Sequence, residues 1–385
     1  MGADSEWGAV VGSGVTTIVN VQVFTGDGLS ELSTVVIGGG VIVSVTADAG
    51  GEGDGDVVVD GGGGTLMPGL IDSHVHLFGA GDLERASTWG VTTMLDMGAP
   101  SMELIAGLRA VPDAPTIRTA GLPASAPGGV QTTRMGFARD SVVTGPGDAE
   151  RFVAARVADG VDYIKIIAED PAAMGAAALD GPTIDALVIA AHTNRLRAYA
   201  HVTTVAAAQL AATAWVDVLT HVALDAVLPA ALVTEVAAKG LVSVPTLVMM
   251  RGVAEKAGGA SGDLVTHRGA VDFAHAVASV TALHEAGVAV LAGTDSNSAP
   301  GSPFGIAHGE SLHDELGLLV EAGLSPVEAL RGATVLPARM FDLRDRGAVT
   351  PGLRADLVLV EGDPTVDIAA TRAIRGVWIA GARVR

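Results

Sequence analysis

The sequence predicts an α/β chain: a closed parallel (β/α) barrel with a small sheet assembled from both chain ends. Three observations carry this. Apolar, β-branched runs alternate with helical segments from about residue 70 to residue 339, and eight such runs are found. Both ends of the chain instead read as short strands punctuated by glycine. Finally, His74, His76, Lys165, His201, His221 and Asp295 fall at or just beyond the C-terminal ends of the apolar runs. That is the end at which a parallel barrel builds its active site.

The N-terminal strands are expected over 16–24, 33–37, 41–45, 57–59 and 65–67, with a Gly/Asp-rich turn at 50–55. The C-terminal ones are expected over 357–361 and 374–380. In the repeating part the strands are 70–75, 92–97, 116–121, 163–167, 198–202, 216–220, 241–246 and 288–292. Helices are expected at 82–89, 102–110, 148–158, 184–193, 205–214, 229–238, 271–286, 309–321 and 326–339. The stretch 122–147 is too long for a plain connector. It reads either as a lid over the mouth or as a surface excursion. A second long connection is expected over 251–267.

Composition narrows the function. The 385 residues are 49% hydrophobic and 17% charged, enough for a large core. There is no cysteine, so a metal would need His and carboxylate ligands. A formal net charge of −20 argues against nucleic acid as a partner. Residues 1–7 lack the basic and apolar regions of a secretory signal, and no run of 18 apolar residues suggests a membrane span. A cytoplasmic protein acting on a small molecule is expected, with a homo-oligomer possible.

The chemistry-bearing residues reinforce one another. His74 and His76 are two apart on a strand, so both imidazoles share one face. Lys165 interrupts an otherwise apolar strand, where an ammonium is costly. Carboxylation by carbon dioxide would resolve that cost and give an anion able to bridge two cations. Taken singly, His201 and His221 read as core histidines and Asp295 as a turn cap. Taken together, four His, one Lys and one Asp suggest a two-metal hydrolase. Zinc suits such ligands, and manganese, iron or cobalt also fit. His192, His267, His275, His284 and His313 read as surface residues. Arg134, Arg251 and His308 are candidates for gripping a substrate carboxylate, although each alone reads equally as a solvated side chain.

The segments Pro68-Gly69-Leu70-Ile71-Asp72-Ser73-His74-Val75-His76, Lys165, His201, His221, Gly293-Thr294-Asp295-Ser296 and the closing stretch 351–360 together resemble the amidohydrolase superfamily. The resemblance covers nearly the whole chain. It is strongest to binuclear members with a carboxylated lysine, the prolidase-like and ochratoxin amidase-like branch. It implies a distorted (β/α)8 TIM-like barrel over 68–346 and a discontinuous β-sandwich domain from 1–67 and 347–385. It also implies that His74, His76 and Asp295 bind one metal, that His201 and His221 bind the other, and that carboxylated Lys165 bridges them. One departure is Ala168-Glu169-Asp170-Pro171, where many relatives carry a Gly-rich stretch. That makes the pocket beside this strand different.

The implied reaction is hydrolysis of an amide-type C–N bond by a bridging hydroxide, with Asp295 moving the proton. Substrates would be dipeptides, N-acyl amino acids or related amides and carbamates. Alternatives are a mononuclear deaminase or lactonase of the same fold, and a metal-binding assembly protein without activity. Deaminases usually lack the lysine and place Glu soon after the fifth-strand His. Here Val202-Thr203-Thr204 follows His201.

Overall fold

The computed structural model of the chain describes residues 14–47, 56–257, 271–299 and 304–385. The segment 1–7, the 50–55 turn, His267 and most of the 251–267 connection lie outside the described residues. Among those described, no helix is long and apolar enough to cross a membrane.

The chain opens with strands β1 (Thr16–Phe24), β2 (Leu29–Gly38), β3 (Val41–Ala47), β4 (Val57–Asp60) and β5 (Thr65–Pro68). Eight further strands follow, interleaved with helices: β6 (Leu70–His76), β7 (Val91–Asp96), β8 (Thr116–Thr119), β9 (Ile164–Ile167), β10 (Ala198–His201), β11 (Val218–Thr220), β12 (Val242–Val244) and β13 (Ser296–Asn297). The chain closes with β14 (Leu357–Val360), β15 (Ile374–Ile379) and β16 (Ala382–Arg383).

Strands from both ends form one mixed sheet, in the order β16-β15-β14-β5-β1-β2-β3, with β4 also beside β1. Alternation sorts its two faces. Leu66, Leu357, Leu359 and Trp378 pack on one side with Ile18, Val35 and Ile42. Their neighbours Met67, Val358, Val360 and Val377 pack on the other against Leu330. The join between the chain ends is β5 against β14, antiparallel, from Thr65↔Val360 to Pro68↔Leu357.

The middle of the chain forms two parallel four-stranded sheets, β13-β6-β7-β8 and β12-β11-β10-β9. Backbone hydrogen bonds link them. Asp162 N donates to Thr119 O at 2.9 Å, and Ala124 N donates to Lys165 O at 2.8 Å. Ala124 O also accepts from Ile167 N at 2.9 Å, so the start of the 122–147 segment lies against β9. The segment is tied to itself by Val143 N donating to Ser125 O and carries a short helix, Val130–Thr133. One cluster gathers residues from both sheets, including Ile71, Leu95, Tyr163, Tyr199, Val218, Val242, Val244 and Leu291. Helices cover the opposite faces through two larger apolar clusters.

Three expectations need correction. The run 288–292 is not a regular strand. It touches β12 through a single bridge, Ser243↔Val290, and accepts from Ser73 N at Ala292 O, 3.0 Å away. Regular pairing resumes only at β13, where Ser296 faces Val75. The expected helix over 326–339 is two helices, Pro326–Gly332 and Val335–Met340. The break turns two carbonyls toward strand ends: Gly332 O accepts from Ala292 N and Ala333 O from Ile71 N, both at 2.8 Å. A Cβ on Gly332 would lie 2.9 Å from Val290 O, so only glycine allows that approach. Lastly, Arg251 does not open a loop. It lies within the helix Leu247–Ala257.

Candidate metal centre

The predicted ligands sit at one end of the strands, and three backbone devices bring them there. Simple alternation suffices for β9 and β10. Tyr163, immediately before β9, and Tyr199 in β10 belong to the inner cluster, and Lys165 and His201, two residues on, share its side. In β6, Ile71 is in that cluster, but His74 is an odd number of residues later. A register shift between Asp72 and Val75 in the β6–β7 ladder changes the parity, which is what a bulge does. Val75 then packs with the outer cluster while His74 and His76 flank it. His221 and Asp295 use the third device. Both are non-glycine residues in the left-handed region, with φ of 67° and 57°. So is their neighbour Thr246, at φ 48°, a costly conformation for a β-branched residue.

The side chains converge. Asp295 Oδ1 lies 3.1 Å from His76 Nε2 and 3.5 Å from His74 Nε2, and Oδ2 lies 4.0 Å from His221 Nδ1. Ring centroids are 4.7 Å apart for His74 and His221, and 4.5 Å apart for His201 and His221. Donor atoms of His74, His221 and Asp295 all lie within 4.8 Å of one another. Lys165 is 2% exposed, and its Nζ donates to Thr220 Oγ1 at 2.5 Å, one residue before His221.

A surrounding set of polar groups holds these residues. His76 Nδ1 meets Gly98 O at 3.1 Å and His221 Nδ1 meets Thr246 Oγ1 at 2.8 Å. Buried Asp72 accepts from His74 N, Thr294 N and Thr294 Oγ1, tying β6 to the Asp295 turn. Glu169 Oε1 lies 3.0 Å from His201 Nε2. None of these partners was singled out from sequence as part of the centre. A Thr or Asp in a strand carries no signal of its own, and Glu169 stood out only as a departure.

Burial dominates the electrostatics. It holds the His74 and His221 imidazoles well below their ordinary pKa, helped by Lys165 and neighbouring histidines. For His76, burial acts downward, but the Asp295 carboxylate together with Asp96 and the Gly98 carbonyl outweighs it, and the net shift is upward. Burial brings the Lys165 ammonium down to about 7, against an opposing pull from Asp295. Burial raises Asp72 to about 7, against its hydrogen bonds. The cluster therefore offers neutral imidazoles at His74 and His221 and an easily deprotonated amine at Lys165. His74 Nδ1 is buried with no hydrogen-bond partner among the described residues. Imidazole nitrogens of His74 and His221 and a carboxylate oxygen of Asp295, gathered within 4.8 Å, form a donor set that fits a divalent cation.

The three candidate substrate grips are placed differently. Arg134 is exposed at the end of the helix Val130–Thr133. Arg251 is half-buried, and its charge is felt by buried Glu315. His308 is beside the cluster but only 1% exposed. Its Nδ1 meets Ser296 Oγ at 2.7 Å, and its Nε2 lies 3.6 Å from Asp82 Oδ1. His313, expected at the surface, is 4% exposed and spans Thr371 Oγ1 and Trp89 O. Its place on the buried face of the helix Glu310–Glu321 explains the correction.

The chain is similar to several known proteins. Over 106 residues the chain is 42% identical to an imidazolonepropionase of Deinococcus deserti, covering 26% of this chain. The match spans about a quarter of that curated relative's length, 25%. A crystal structure of a Xaa-Pro dipeptidase with methionine bound in its active site has a TM-score of 0.84 at 23% identity, covering 96% of this chain and 99% of the other. The structure of A. niger ochratoxinase has a TM-score of 0.77 at 21% identity, covering 96% and 95%. These likenesses show a shared fold. The amidohydrolase family model matches residues 65–384, and the chain belongs to that family.

Proposed function

We propose that the chain is a metal-dependent hydrolase cleaving an amide-type C–N bond in a dipeptide, an N-acyl amino acid or a related amide or carbamate. The observation that carries this is the convergence of His74, His221 and Asp295 donors within 4.8 Å, with buried Lys165 alongside. His74, His76 and Asp295 would hold one divalent cation and His201 and His221 a second. Zinc is favoured, and manganese, iron or cobalt also suit the donors. Such a pair of cations supplies an acidified water and an electrophile for the scissile carbonyl. Asp295 is placed to accept the proton of the attacking water and return it to the leaving amine. Lys165, with its pKa near 7, offers a neutral amine to carbon dioxide. A new N–C bond would form, a proton would leave, and the resulting carbamate anion would face both imidazole pairs.

We read the two parallel sheets and the 288–292 run as one (β/α)8 TIM-like barrel over 68–346. The hydrogen bonds from Asp162 to Thr119 and from Ser73 to Ala292 support closure. Segments 1–67 and 347–385 would form the small β-sandwich domain. The partner is a small molecule. The net charge of −20 speaks against nucleic acid, and a homo-oligomer is compatible with the fold.

Elemental analysis tests this reading on protein prepared with bicarbonate and added zinc or manganese. About two ions per chain are expected. A mass-spectrometric screen of dipeptides, N-acyl amino acids, carbamates and lactones then reads the bond cleaved. Two bound ions with no C–N cleavage in any amide class would overturn the proposal. One ion with amine release from an aminated ring would favour a deaminase.

A further inference from the structure

Past β9 the chain continues Ala168-Glu169-Asp170-Pro171. Glu169 is 4% exposed. A carboxylate so deeply buried needs donors close by. Three are present, each from a different place. His201 Nε2, at the end of β10, lies 3.0 Å from Oε1. Gln131 Nε2, from the helix Val130–Thr133, donates to Oε1 at 3.4 Å. Thr203 Oγ1, just beyond β10, donates to Oε2 at 3.3 Å. An ionised carboxylate only accepts, so the imidazole nitrogen facing it carries the hydrogen. In a neutral imidazole the other nitrogen, here Nδ1, then keeps its lone pair.

We infer that Glu169 is a positioning residue. It fixes His201 as the Nε2–H tautomer, so that Nδ1 is the nitrogen offered to a cation. This rests on the metal-centre reading above. The neighbouring His221 has its Nδ1 against Thr246 Oγ1, so the two adjacent imidazoles engage their supports through different nitrogens. Through Gln131, the 122–147 segment reaches the centre, and its packing bears on how firmly His201 is held. A carboxylate behind a ligating histidine also raises the basicity of the ligating nitrogen.

The test uses the full chain, 15N-labelled and metal-free. Long-range 15N–1H spectra of the rings show which nitrogen carries the hydrogen, and His201 is assigned by its loss in His201→Gln. The wild type is expected to show Nε2–H. Glu169→Ala should yield a tautomer mixture. It should also lower affinity for the more weakly held zinc ion, measured by chelator competition, by about 10- to 100-fold. Glu169→Met keeps the volume without the acceptor and carries the same expectation if the alanine variant does not fold. Glu169→Gln retains an acceptor oxygen and should preserve Nε2–H with a smaller loss of affinity. Nδ1–H in the wild type overturns the inference, as does an unchanged tautomer with unchanged zinc affinity in the Ala or Met variant. Loss of a whole zinc equivalent with no change of tautomer also overturns it, by making Glu169 a ligand. Absence of amide turnover in the wild type would count against the proposed hydrolase and leave the tautomer result standing.

Discussion

Tyr163, just before β9, and Lys165 within it stand two residues apart, as do Tyr199 and His201 on β10. The first of each pair lies in an aromatic layer. The Tyr163 and Tyr199 rings are 4.7 Å apart, and Phe341 packs at 5.6 Å and 5.4 Å from them. The second of each pair lies in the ionisable layer immediately above. One turn of the pleat separates a region whose job is cohesion from one whose groups would be costly without a ligand. The lower layer is packed ring on ring, whereas the upper one gathers imidazole and carboxylate donors within 4.8 Å of one another. The two layers should therefore answer mutation in opposite ways, the lower in stability and the upper in metal content and turnover.

The largest separation is expected from Lys165→Ala. Turnover should fall at least about a thousandfold, several kcal/mol of transition-state stabilisation. Metal content should drop while the thermal transition stays sharp. Near-normal turnover would sink the bridging role. Tyr199→Ala, one layer down, should cost about 3–5 kcal/mol in denaturant unfolding. The variant should still take up its full metal complement when folded, and a matching loss of metal would show that the layers are not separable. Thr246→Val removes the hydroxyl at His221 Nδ1 and should weaken metal binding by about 10- to 100-fold, read by chelator titration. The smallest effects lie within the lower layer itself. Tyr163 donates its hydroxyl to Asp96 O at 2.9 Å, so Tyr163→Phe should cost about 0.5–1.5 kcal/mol. The Tyr199 hydroxyl is buried without a partner among the described residues, so Tyr199→Phe should stabilise by up to about 1 kcal/mol. Equal transition temperatures for the two Phe variants would remove that distinction.

The contrast also explains what could be read from the chain before its structure. Lys165 in an apolar run and a His-x-His after a strand are conspicuous because residue type and periodicity disagree. The βα alternation was legible for the same reason, with apolar period and breakers in step. The devices that aim the ligands leave no such mark. The β6 register shift and the left-handed His221, Thr246 and Asp295 are set by neighbours distant in sequence. The run 288–292 has strand composition but pairs through only a few hydrogen bonds, because Gly332 claims one of its amides. His313 was misplaced because a histidine on a helix reads as polar until the packed face is known. Glu169 was visible as a deviation from its relatives, but only the fold brings Gln131 and Thr203 to it.

The seam between β5 and β14 has a bearing on biogenesis. Thr65 Oγ1 donates to Gly362 O across 297 positions of sequence. During synthesis, β1 to β5 emerge with one edge lacking its eventual neighbour until the 297 positions that separate Thr65 from Gly362 have followed. An unpaired strand edge is prone to join the wrong chain, and so distant a closure forms late. The nascent chain thus carries an open edge until β14 has been made, and a chaperone that covers that edge would benefit yield.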